Sequence, residues 1–73
     1  MKEKFYFTLY CGPFIANTYI GSRSNAKAYF NRWILKNFPY YESYEFTVCR
    51  YGTLRDMLNS ENLISSYALV VVE

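Results

Sequence analysis

Ser22 and Pro39 bracket the one stretch of this chain that reads as a long helix, and strand patterns lie on both sides of it. A proline disfavours helical geometry at the residue before it, so a helix arriving from the N-terminal side ends near Phe38. Ser22 or Ser24 can start it, because a serine oxygen accepts from the free N–H groups of a first turn. From about Asn25 to Asn37, Ala26, Phe30, Trp33, Ile34 and Phe38 fall at helical spacing and form one apolar stripe. Arg23, Lys27, Asn31, Arg32 and Lys36 project away from it. A helix with a single apolar stripe needs a second surface to bury it, and the flanking residues supply a sheet.

Lys4 to Cys11 alternates cleanly: Phe5, Phe7, Leu9 and Cys11 share one face, and Lys4, Tyr6, Thr8 and Tyr10 the other. Gly12-Pro13 breaks the strand. Phe14 to Gly21 reads either as a second short strand closing a hairpin or as an irregular loop into the helix, with the strand preferred. Tyr41 to Tyr51 alternates again, with Tyr44, Phe46 and Val48 on one face and Ser43, Glu45, Thr47, Cys49 and Tyr51 on the other. After Gly52, Thr53-Leu-Arg-Asp56 resembles a capping box and predicts a short helix over about Leu54 to Glu61, with Leu54, Met57 and Leu58 facing inward. Ser66 to Glu73 predicts a last strand, whose run Ala68 to Val72 suits burial on both faces or pairing in the sheet centre.

The order is therefore β-(β)-α-β-α-β. It predicts an α+β fold of one domain over residues 1–73, a small two-layer sandwich of three or four strands with two helices on one face. In general style this resembles the ferredoxin-like sandwich, from which it departs in having one strand, rather than a hairpin, between the helices.

Such a short chain buries only about 60% of its unfolded surface. An aromatic content of 22%, nine Tyr, six Phe and one Trp, gives it large rings with which to build a core. The crowd is densest in KNFPYYESYEF, residues 36–46. Phe38, Tyr44 and Phe46 fit the core, while Tyr40 and Tyr41 follow Pro39 in a connection where burying both rings is difficult. With Tyr19 and Tyr29 they are candidates for a recognition rim, since Tyr and Arg are enriched at interface hot spots.

Most catalytic chemistry is absent. Without histidine there is no Ser-His or Cys-His pair. Gly12, Gly21 and Gly52 are isolated and cradle no phosphate. Glu42 and Glu45 are near neighbours whose side chains diverge on a strand. Cys11 and Cys49 fall on opposite faces and read as free thiols, too few for a metal site. The expectation is a protein that is not an enzyme and needs no cofactor and no metal.

Charge is uneven. Residues 1–41 carry six cations, Lys2, Lys4, Arg23, Lys27, Arg32 and Lys36, against Glu3 alone, a net +5. Residues 42–73 carry Arg50 and Arg55 against Glu42, Glu45, Asp56, Glu61 and Glu73, a net −3. Solvated helix faces usually interleave the two signs. The candidate site is thus Arg23, Lys27, Arg32 and Lys36 on the helix, with Tyr19, Tyr29, Tyr40 and Tyr41 nearby, and the partner a protein with an acidic surface.

Two alternatives stand beside it. Tyr6, Tyr10 and Tyr51 on one sheet face, with Arg50, suggest stacking of single-stranded nucleic acid, although the aromatic signature of RNA-recognition domains is missing. The same Tyr/Thr face could instead pack against a second copy in a homodimer. In size, aromatic content and lack of histidine the chain resembles the small phage-encoded inhibitors, anti-CRISPR and other anti-defence proteins, a likeness of style that covers no motif. The N-terminal MKEKFYFTLYCG sets charge before a short apolar run that alternates with Thr and Tyr and has no small-residue cleavage site, so it reads as a strand and not as an export signal. No apolar run approaches the roughly 18 residues of a membrane span. A cytoplasmic protein with no membrane partner is expected.

Overall fold

The computed structural model describes residues 4–73. Strand β1, Phe5–Cys11, turns through Gly12-Pro13 into β2, Phe14–Gly21, so the ambiguous segment is a strand. Gly12 supplies the left-handed backbone of the turn at φ 59°, a conformation glycine adopts without a Cβ clash. Helix α1 spans Arg23–Asn37. A single turn of 3-10 helix at Tyr41–Ser43 leads to β3, Phe46–Tyr51. Helix α2 covers Leu54–Asn59, and β4 covers Ser65–Ala68.

All strand pairs are antiparallel, in the order β2-β1-β3-β4. The residue pairs Leu9–Val48 and Phe7–Arg50 set one face, and Thr8–Cys49 and Tyr6–Tyr51 the other. Cys11 and Cys49 consequently lie on opposite faces and are free thiols.

Ser22 caps α1, its Oγ accepting from the Asn25 N–H at 3.3 Å. The helix lays Ala26, Phe30 and Ile34 on Phe7, Leu9, Phe46 and Val48, with Leu69 completing the cluster. Trp33 and Phe38 pack at its margin, their rings 5.6 Å apart. Phe38 is also edge-on to Phe46 at 5.4 Å and to Tyr44 at 5.6 Å. The residue 36–46 crowd is one aromatic edge of the core, with Tyr44 itself largely exposed.

The α+β class holds, with one change of placement. Helix α2 packs against β1 and β3 on the face opposite α1. There Thr8 and Tyr51 are only 2% and 3% exposed, and the Tyr51 hydroxyl lies near Tyr10 and near Ser60 at the end of α2. Thr53 caps α2 by accepting from the Asp56 N–H at 3.1 Å, as its sequence predicts. Only Met57 of its apolar residues is buried; Leu54 and Leu58 face solvent. In so short a helix only the central Met57 reaches the sheet.

The C-terminal segment also differs from expectation. β4 is an edge strand and stops at Ala68, after which the chain leaves the sheet and runs along α1. Leu69 and Val71 turn into the core, whereas Val70 and Val72 are 74% and 64% exposed. Asn31 holds this tail: its Nδ2 donates to the Val72 carbonyl and its Oδ1 accepts from the Val72 N–H, both at 2.7 Å. The valine run is apolar because alternate residues close the side of the core.

Candidate functional site at the first helix

The side chains of α1 that point away from the sheet form two flanks. In a helix each residue advances about 100°, so Arg23 and Lys27 lie on one flank and Arg32 and Lys36 on the other, with Ser24, Ala28, Asn31 and Leu35 between them. All four cations are exposed. No acidic residue occupies the first turn of α1, and none occurs anywhere in it.

The tail converts this surface into a groove. Between α1 and the tail lies an open cleft of about 450 Å³, lined by Ser24, Lys27, Ala28, Asn31, Arg32, Val70 and Val72. Its apolar lining includes the two valines and Ala28, and Lys27 and Arg32 supply the charge. Sequence reasoning finds the two cations but misses the valines, because it assigns the whole apolar run to the sheet.

The tyrosines divide. Tyr19 and Tyr29 stack at 4.8 Å in the seam between β2 and α1, and both contact Phe30 edge-on. Asn17 donates from Nδ2 to the Tyr29 hydroxyl at 3.2 Å. They are half-buried packing groups and not a free rim. Tyr41 is half-buried, and its hydroxyl donates to the Glu73 carboxylate. That hydrogen bond, with burial and the charges of Glu73 and Glu42, pushes its pKa up to about 12. Tyr40 alone stands clear, 77% exposed.

On the other sheet face, α2 covers the surface on which stacking would depend. Tyr51 is buried, with its pKa raised chiefly by burial, and Tyr6 and Tyr10 are half-buried. Arg50 points to the opposite face, beside Phe5, with its guanidinium carbon 4.5 Å from the ring centre. These four residues therefore do not share one surface. Burial also pushes the Cys49 thiol up, away from the thiolate a nucleophile needs.

Among the described residues no three of Cys, Asp and Glu converge as metal ligands, and no helix is long and apolar enough to cross a membrane. No protein-family model matches the chain, no curated protein matches it, and no solved structure matches it.

Proposed function

We propose that this chain is a small non-catalytic protein-binding module that docks an acidic segment of its partner into the groove between α1 and the tail. The observation that carries the reading is the combination found there: exposed valines of the tail beside a helix whose charges are all positive. Fully burying a valine side chain contributes about 1.5–3 kcal/mol, so Val70 and Val72 can anchor a partner's apolar residue. Lys27 and Arg32 at the groove then select neighbouring carboxylates and speed encounter. Because these cations are exposed, their effect is screened beyond about 8 Å at physiological salt. Binding should weaken with salt without vanishing, since the apolar contacts persist.

A protein of this kind acts by occupying a surface, which is how a phage-type, anti-defence inhibitor would work, and protein and partner would meet in the cytoplasm. The burial of Tyr51 and the turn of Arg50 to the other face weigh against nucleic acid as the principal ligand.

The test is capture from nuclease-treated host lysate by the tagged protein, by the Lys27→Glu/Arg32→Glu variant and by Val70→Asp. One stoichiometric protein is expected with the wild type, and it is lost with both variants while their circular dichroism stays native. Equal capture by all three would reject the groove, and loss of all capture on nuclease treatment would reject the protein partner.

A further inference from the structure

Two buried polar atoms among the described residues have no hydrogen-bond partner: Arg50 Nε and the Tyr67 hydroxyl. Arg50 stands opposite Ser65, and Tyr67 opposite Val48, so the two side chains are diagonal neighbours on the α1 face of β3 and β4. Diagonal positions on adjacent strands are within reach of long and aromatic side chains. Arg50 and Tyr67 are half-buried as residues, so each side chain extends to the surface while its orphaned atom is shut away from water.

The guanidinium is always charged, and its partner in the fold is the face of Phe5. Among the described residues the carboxylates lie elsewhere. Glu45 precedes β3, beyond the end opposite Arg50; Glu42 is earlier still, in the 3-10 turn. Asp56 accepts from Asn62, and Glu73 accepts from Tyr41. Glu61 is exposed in the connection between α2 and β4. Arg23 brings a second positive charge to bear on the Tyr67 hydroxyl, which burial nevertheless holds in its protonated, donating form.

We propose that Arg50 and Tyr67 form an oxyanion site at the β4 edge of the sheet, taking a carboxylate or phosphate group. A water molecule there would satisfy the donors but leave the charge. An oxyanion answers both, because one group accepts from the guanidinium and the phenol together and neutralises the cation in a partly desolvated place, where charge-assisted hydrogen bonds are strongest. The site is separate from the groove and does not depend on the binding reading above.

The test follows the Arg50 Nε–Hε resonance by 1H–15N correlation during titration with inorganic phosphate and, separately, acetate, at ionic strength held constant with sodium chloride. A saturable shift of Arg50 is expected with at least one of them, and the stronger anion identifies the source as phosphate or carboxylate. Tyr67→Phe keeps the ring and removes one charge-assisted hydrogen bond, so the midpoint should rise about tenfold. A shift that grows linearly without saturation, or no shift, would overturn the site. So would a Tyr67→Phe variant that loses stability but titrates like the wild type, since that result means the two side chains serve each other.

Discussion

Asn31→Ala should release the tail while leaving the sheet intact. Asn31 makes two hydrogen bonds to Val72, and neither backbone group of Val72 would keep a partner in α1 without it. An intramolecular hydrogen bond contributes about 0.5–1.5 kcal/mol net, and these are exposed, so the pair should hold the tail by about 1–2 kcal/mol. At 1.4 kcal/mol per decade this is roughly a 5- to 30-fold change in the tail's opening equilibrium. The loss should stay local, because Leu69 remains buried and its N–H still donates to the Phe46 carbonyl at 2.9 Å. Native-state hydrogen exchange would show faster exchange at Val72 by that factor, with Phe7 and Val48 in the sheet slowed as before. Asn31→Asp keeps the acceptor for the Val72 N–H and loses the donor, so it should fall between. Unchanged Val72 exchange in Asn31→Ala would refute the pinning of the tail, and with it the origin of the groove wall.

Ser22→Ala removes the α1 cap and should cost about 1 kcal/mol, a fall in Tm of about 4–8 °C for a domain this size, measured by thermal melting. Tyr41 has a folded-state pKa raised to about 12 from an ordinary 10, so the stability it contributes is intact below pH 10 and is lost as pH rises toward 12. Glu73→Gln should return the Tyr41 titration toward 10, followed by NMR of its ring; a midpoint still near 12 would contradict the assignment to Glu73. Tyr51→Phe removes the hydroxyl that lies beside Ser60 and Tyr10 under α2 and should destabilise by about 0.5–1.5 kcal/mol in urea unfolding. No change there would mean that α2 is not anchored through this hydroxyl.

Local periodicity carried much of the fold. The alternation of Phe5 to Cys11 assigns each residue to its observed face, and the stripe of Ala26, Phe30 and Ile34 is the buried side of α1. Phe14 to Gly21 was ambiguous for a physical reason: the pairing of β1 with β2 slips between Leu9 and Tyr10, which interrupts the alternation. Apolar content misled where it could not report on tertiary neighbours. Leu54 and Leu58 have helical spacing but belong to a helix too short to bury them. Parity put Tyr51 on the correct face without revealing that α2 would fold back over it. The four cations are exposed as expected, but the site's other half, Val70 and Val72, depended on a tail leaving the sheet, which no local pattern encodes.

The most direct measurement for the central claim is a hydrogen-exchange footprint of the protein bound to the partner it captures. Protection confined to α1 around Ser24–Arg32 and to the tail at Leu69–Val72, with the α2 face exchanging as in the free protein, is the predicted result. Protection concentrated on Tyr6, Tyr10 and α2, with the groove unchanged, would contradict it.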